Sequence, residues 1–294
     1  MTRNQLVRQS GLLVLIAGAV FTASGSLGQG AEKKVSEIKD NVGNMWVRGF
    51  SGMQIKRMPE GKMRFTVRAD AGKKIIATWT KERLKIESGG LEGLVAMDAS
   101  KAYRLQTATM LNGILVDVTR PSSDPESKAE QTAHIEAAEA EFVAATNTVT
   151  VKGGVSFVRK DPGVDQTMTA TGSSGVITLS DTAAKSNALS AATLTGPVDM
   201  HLSGTRKVEG GKSAKFDIKG HANKMVYNDA ARTIIFTGDV KITGDDPSFG
   251  GEISGVKSAT ITLTASGEVD SIDMDGDPGR TIVQERKKSG GKAR

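Results

Sequence analysis

The segment TIIFTGDVKITGDD, residues 233–246, carries the pattern that decides the fold of this 294-residue chain. Apolar and polar side chains alternate along it, and Gly238-Asp239 stands in the middle. The apolar side chains are Ile234, Phe236, Val240 and Ile242. Alternation with a period of two is typical of a β-strand with one buried face. Glycine adopts the backbone angles of a bulge or tight turn, so the segment predicts two strand arms joined by a bend.

The same pattern occurs 85 residues earlier, in TVTVKGGVSF at residues 148–157. A shift of 85 places Val151 on Phe236 and Gly153 on Gly238 without a gap. A fainter copy of a later part of the unit is LQTATM at residues 105–110, which resembles LSAATL at residues 189–194. Self-similarity at a fixed period is the signature of repeat architectures, so we expect three consecutive β-rich units.

The repeat and the composition together predict five regions. With aromatic residues at 4% and 34 glycines, the chain suits an all-β protein of short strands and tight turns. The predicted regions are a targeting segment at 1–30, a divergent first β-repeat at 31–120, a second repeat at 121–205, a third repeat at 206–284, and a basic disordered tail at 285–294.

The N-terminus has the composition of an export signal. Arg3 and Arg8 precede an apolar run of thirteen residues at 11–23. This run is short for a bilayer span and fits the apolar region of a signal peptide. We therefore predict export, with an uncleaved membrane anchor as the alternative.

Two segments favour helix by spacing or propensity. Val35, Ile38 and Val42 have helical spacing and predict a short helix after the targeting segment. Residues 127–145 are rich in Ala and Glu, which favour helix. The repeat, however, aligns their second half with the strand-like residues 222–229, and we follow the repeat.

Few residues suggest chemistry. The absence of cysteine excludes disulfides and thiolate sites. Residues 31–284 carry no net charge, which argues against nucleic-acid binding. His134, His201 and His221 lack the spacing of a metal pair, and we expect them at the surface or at strand edges.

An acidic cluster at 273–277 was considered as a calcium loop. It has Pro278 and Gln284 where an EF-hand needs Gly and Glu, and it predicts a turn instead. No nucleotide-binding or nucleophile motif is present, so we predict a non-enzymatic protein without metal or cofactor. The scattered carboxylates leave a hydrolase on a β-scaffold as an open alternative.

The segment ANKMVYNDAARTIIFTGDVKI, residues 222–242, resembles the OstA-like (LptA/LptC) family of lipopolysaccharide-transport proteins. Residues 137–157 are similar, with Gly154 in place of the acid. The resemblance covers roughly residues 130–278, and the first third of the chain fits it loosely. The chain differs from a single-jellyroll bridge in its length and in its number of repeats.

The resemblance implies a β-jellyroll of stacked antiparallel strands in the periplasm. It implies transport of lipopolysaccharide, or a similar acylated lipid, between the inner and outer membranes. It also implies strand-edge pairing with other β-jellyroll transport proteins, and the chain could in addition form an end-to-end homo-oligomer. A bridge, an anchored component and a divergent relative all remain open.

Stacked units would line a continuous apolar trough, in which acyl chains could be shielded from water. We predict that inward-facing side chains form this lipid-binding groove. They are Val149, Val151, Val155, Phe157, Ile177, Leu179, Ile234, Phe236, Val240, Ile242, Ile261 and Leu263. The alternative is a secreted structural or adhesive β-repeat protein, in which the same residues form a packed core without a lipid.

Overall fold

The structure, a computed structural model, describes eleven stretches of the chain. They are residues 37–39, 45–79, 83–97, 103–122, 126–179, 189–207, 213–228, 230–245, 250–264, 269–276 and 280–283. The predicted targeting segment and the basic tail lie outside these residues.

The described residues form seventeen β-strands and no helix. They therefore include no helix that could span a membrane. The strands are β1 (Glu37–Lys39), β2 (Met45–Arg48), β3 (Phe50–Arg57), β4 (Lys62–Ala69), β5 (Ile75–Trp79), β6 (Leu84–Met97), β7 (Tyr103–Pro121), β8 (Glu130–Ala137), β9 (Glu139–Val143), β10 (Thr148–Asp161), β11 (Gln166–Leu179), β12 (Leu189–Lys207), β13 (Ser213–Asn228), β14 (Thr233–Asp245), β15 (Gly250–Leu263), β16 (Val269–Asp275) and β17 (Arg280–Val283). The predicted all-β class of antiparallel strands is confirmed.

The chain divides into two compact units, each assembled from several segments. Unit 1 comprises the described residues within Met1–Thr119, Ala133–Val155 and Ser174–Ala192. Unit 2 comprises those within Arg120–Thr132, Ser156–Ser173 and Thr193–Arg294. The chain passes from one unit to the other inside strands β7, β8, β10, β11 and β12. The division into three repeats at 31–120, 121–205 and 206–284 stays a prediction.

Within unit 1, the strands pair antiparallel with near neighbours in the chain. Strand β3 pairs with β4, β4 and β5 both pair with β6, and β6 pairs with β7. Inward side chains alternate along β4, where Met63, Phe65 and Val67 are buried. Phe50 and Phe142 are also fully buried, so unit 1 has its own apolar core.

The second and third repeats share one hairpin geometry. In the hairpin β9–β10, Phe142 lies opposite Val149. In β13–β14, Tyr227 lies opposite Ile234, which is the same pair shifted by 85 residues. Because the same cross-strand partners meet in both hairpins, the sequence repeat is also a repeat of strand register.

The predicted bend is a bulge inside a continuous strand. Gly153 and Gly154 have φ angles of 81° and 82°, and Gly238 and Asp239 have φ angles of 72° and 51°. All four lie in the left-handed region, which side chains larger than glycine rarely adopt. The two arms therefore belong to one strand in both β10 and β14, where the sequence pattern alone suggested separate strands.

The two glycines of β10 differ in what a side chain would meet. A Cβ added at Gly153 would lie 2.4 Å from the Cβ of Ala138, whereas a Cβ added at Gly154 would meet nothing within 4 Å. Gly154→Ala should therefore cost only the left-handed conformation, about 1–2 kcal/mol. Gly153→Ala should cost about 1 kcal/mol more because of overpacking. Urea unfolding followed by circular dichroism measures the difference, and equal losses would contradict the close approach to Ala138.

The helix predicted from Val35, Ile38 and Val42 is wrong where the structure describes it. Ile38 lies in strand β1, opposite Val47 of β2, while Val35 and Val42 lie outside the described residues. Backbone hydrogen bonds to a neighbouring strand outweigh a helical spacing seen over only eight residues. The choice of strand for the second half of residues 127–145 is confirmed, because β8 and β9 occupy it.

Strands at the border of a sheet are where another chain could be added. Strand β3 pairs with β4, and β16 pairs with β15. Strands β16 and β17 both pair with β15 on the side away from β14. An edge strand exposes unpaired N–H and C=O groups that can pair with another chain.

Candidate functional site

The apolar interior of unit 2 contains five of the predicted groove residues. Ile234, Phe236, Val240, Ile242 and Ile261 are at most 1% exposed. They come together because alternate residues of β14 point inward on both sides of the bulge, and because Ile234 pairs directly with Ile261 of β15. In this conformation they form a closed apolar core.

The other predicted groove residues are distributed differently. Val151 and Val155 are buried in unit 1, where Val149 and Ile177 are half-buried. Phe157 and Leu263 are half-buried in unit 2. Leu179 belongs to β11, but its side chain lies outside the description. Five of the twelve therefore lie in unit 1 and seven in unit 2, so the predicted set is divided between two compact units.

Phe236 is packed against the backbone of a neighbouring strand. Its ring lies over Gly220, where an added Cβ would be 2.7 Å from Cζ. Gly220 pairs with Ile242 rather than with Phe236, so the ring leans along the strand and across the bulge. Because Gly220 has no side chain, there is room for the ring of Phe236, the largest apolar side chain of β14.

A small cavity lies in the interior of unit 2. Its volume is about 10 Å³, which is room for about one water molecule. Its lining is mostly apolar, with two polar side chains. The lining residues are Arg159, Gln166, Met168, Leu202, Ile234 and Leu263. Leu263 and Met168 are half-buried, so the apolar surface continues from the core to the protein exterior here.

A buried carboxylate lies beside this cavity at the tip of the β10–β11 hairpin. Asp161 is 1% exposed and accepts hydrogen bonds from Ser122 Oγ at 2.6 Å and Gln131 Nε2 at 3.1 Å. The backbone N–H of Gly163 donates to the same carboxylate at 3.2 Å, and Arg159 Nη2 lies 3.9 Å from it. The sequence Asp-Pro-Gly at residues 161–163 is typical of a turn. The partners on β8 and the preceding loop could not be seen in a local pattern.

Each of the three histidines pairs with an aspartate on an adjacent strand. His134 Nδ1 lies 2.6 Å from Asp117, and its hydrogen bond to that carboxylate raises its pKa, with a further contribution from Glu136. His201 lies 2.7 Å from Asp217, and His221 lies 2.7 Å from Asp199. All three are partly exposed, as predicted. Such pairs join neighbouring strands on the outward face.

The structure also locates the acidic cluster that was considered for calcium. Asp273 and Asp275 are exposed on β16, and Gly276 follows with a φ of 133°. Within the described ranges, no group of three or more His, Asp or Glu side chains is placed to hold a metal ion.

No family model and no curated protein matches the chain. A crystal structure of LptH is similar to 50% of this chain and to 95% of its own length, at 13% sequence identity and a TM-score of 0.33. It is described as the LptA-homologous periplasmic component of the lipopolysaccharide transport device from Pseudomonas aeruginosa. At this TM-score the two backbones share too little to carry a function from one chain to the other.

Proposed function

We propose that this chain is an exported, non-enzymatic protein that carries or bridges lipopolysaccharide-type lipid between inner and outer membrane. The observation that supports it most is the apolar interior of unit 2, which reaches the exterior at Met168 and Leu263 beside Arg159. If the strands around the cavity separate, acyl chains could enter this interior. Each CH₂ group buried there would contribute about 0.8 kcal/mol to binding. Arg159 at the rim suits an anionic headgroup.

Strand-edge pairing with other β-proteins is the partner side of the proposal. Backbone groups at a strand edge can add a strand from another β-protein, or from a second copy of this chain placed end to end. Such pairing would hold several carriers in series between the two membranes. The periplasm is the compartment in which this task would be carried out.

A packed core supports a second function, that of a secreted structural or adhesive β-protein. Ile234, Phe236 and Ile242 have no exposed surface, and the cavity holds about one water. A core that is packed without space for a ligand is what a structural protein would have. The two functions differ in whether the interior opens for lipid.

Leu263→Glu separates the two functions at a position where a charge can be tolerated. Leu263 lines the cavity but is half-buried, so its replacement should leave the fold intact. If lipid enters here, the loss of apolar contact should weaken binding of purified lipopolysaccharide about tenfold, equivalent to about 1.4 kcal/mol. Titration with fluorescently labelled lipopolysaccharide measures this, and mass spectrometry of the isolated chain shows whether acylated lipid co-purifies.

Val176→Glu is the matched control, since Val176 is 41% exposed and does not line the cavity. It should bind lipopolysaccharide as the unaltered chain does. If the unaltered chain carries no lipid and does not bind it in the titration, the structural function is favoured. Equal weakening in both variants would place any binding elsewhere than in this interior.

A further inference from the structure

The outward face of β3 and β4 carries a group of exposed cations. Lys56 lies directly opposite Arg64, and Arg68 lies further along β4 on the same face. All three side chains are exposed, while Phe65 and Val67 of β4 point into the core. We call Lys56, Arg64 and Arg68 the basic face of unit 1.

The basic face lacks the acidic partners that other cations of unit 1 have. Lys62 pairs with Glu60 at 2.6 Å, and Lys85 pairs with Glu87 at 2.5 Å. None of the three basic-face side chains forms an ion pair with a described residue. Glu92 lies opposite Thr66, between Arg64 and Arg68 in register, and is exposed without bridging to either. One unpaired acid therefore faces three unpaired cations.

This imbalance extends over the surrounding strands. Residues 45–97 contain eleven lysines and arginines against five acids, a net charge of +6, although the body of the chain is neutral. Like charges directly opposite each other destabilise an antiparallel pair, so Lys56 beside Arg64 costs stability in the isolated protein. An anionic partner would convert this cost into attraction.

We propose that the basic face docks unit 1 on the surface of a bilayer that contains anionic phospholipid. The three cations form a flat array, since Lys56 and Arg64 are about 5 Å apart and Arg64 and Arg68 about 13 Å apart. Cations spread over one face of a sheet suit a plane of headgroups better than a single enclosed phosphate. The inference is independent of whether lipid enters the interior of unit 2.

The chain that precedes β1 favours the same partner. The apolar run at 11–23 ends 14 residues before Glu37, the first residue of β1, which pairs with β2. A fully extended chain of this length spans at most about 50 Å. If the run stays in a membrane, the basic face is held at a high effective concentration near that membrane's surface.

A second copy of the chain is the competing partner, because β16 carries Asp270, Asp273 and Asp275. A strand added at the edge of β3 would lie beside Lys56, about 4.8 Å away. Arg64 and Arg68 belong to β4, one strand further in, and project from the face rather than from the edge. The position of two of the three cations therefore favours a membrane surface that lies over the sheet, rather than a strand added at its edge.

Sedimentation of the full chain with lipid vesicles tests the proposal. Vesicles of phosphatidylcholine alone report the contribution of the apolar run, and vesicles with added phosphatidylglycerol report the electrostatic excess. The variant K56Q/R64Q/R68Q should reduce that excess about a hundredfold, at about fivefold per cation near an anionic surface. Raising the salt concentration should remove the excess from the unaltered chain, because exposed charges are screened.

The variant K215Q/K224Q/K257Q is the matched control. These three lysines are exposed on strands of unit 2, and the variant has the same change in net charge. It should keep most of the excess. The proposal is overturned if the basic-face variant retains the excess, or if both variants lose it equally. It is also overturned if the basic-face variant changes only self-association in lipid-free buffer, which would assign the face to a second copy.

Discussion

Phe236→Ala is expected to lower the free energy of unfolding of unit 2 by about 3–5 kcal/mol. Phe236 has no exposed surface, and its ring fills the space over Gly220. Alanine would leave a cavity that the surrounding strands can close only in part. Urea unfolding followed by circular dichroism measures the loss, and Val176→Ala, at an exposed position, should change stability by less than about 0.5 kcal/mol.

The result also bears on the proposed carrier function. A loss below about 1 kcal/mol would mean that the ring is not packed in solution, as in a wide, hydrated groove. An aspartate at the same position would bury a charge in an apolar core and destabilise the fold itself. Lost binding in that variant could not be distinguished from unfolding, and this is why Leu263 is the better position for testing lipid binding.

Asp161→Ala is expected to cost about 3–4 kcal/mol, because it removes the buried carboxylate to which three half-buried donors bind. Ser122, Gln131 and the N–H of Gly163 all donate to this carboxylate, which is 1% exposed. The same urea unfolding experiment measures the change. The tip of the β10–β11 hairpin should also become accessible to proteolysis, since the carboxylate joins it to β8 and to the loop before β8.

Asp161→Asn provides the internal comparison. Asparagine keeps the size of the side chain and one acceptor oxygen, so about 1–2 kcal/mol should be lost. If the two variants are equally destabilised, the negative charge matters more than the individual hydrogen bonds. If neither loses more than about 1 kcal/mol, water replaces the carboxylate and the hairpin tip is not buried in solution.

The sequence predicted which residues pair across the repeated hairpin, but it did not predict how long the strands are. The 85-residue shift identified Phe142–Val149 and Tyr227–Ile234 as equivalent pairs, and both are cross-strand partners. The pattern also placed a bend at Gly153 and Gly238. It did not show that the arms on either side form one strand, because a glycine in an alternating pattern is compatible with a turn or with a bulge.

The candidate site was predictable only in part for a related reason. Alternation shows which face of a strand is apolar, and it correctly selected Ile234, Phe236, Val240 and Ile242 as inward side chains. Alternation does not show whether the apolar faces of two strands pack against each other or leave a groove between them. The closed core depends on Gly220, whose lack of a side chain admits the Phe236 ring from another position on the neighbouring strand.

Asp161 was missed because its partners are distant in sequence. Ser122 and Gln131 lie 39 and 30 residues before it. A local reading of Asp-Pro-Gly gives a turn and nothing more. The available sequence signal is that an acidic turn occurs together with polar residues near the start of the strand beside it.

The pairing of strands close in sequence has a consequence for how the protein reaches its folded state. Strands β3 and β4, β6 and β7, β9 and β10, and β13 to β16 pair with near neighbours, so the loops that must close are short. Short loops cost little chain entropy to close, which favours early formation of these hairpins. A polypeptide emerging N-terminus first can form each of these pairs soon after its second strand arrives, without waiting for its C-terminal half.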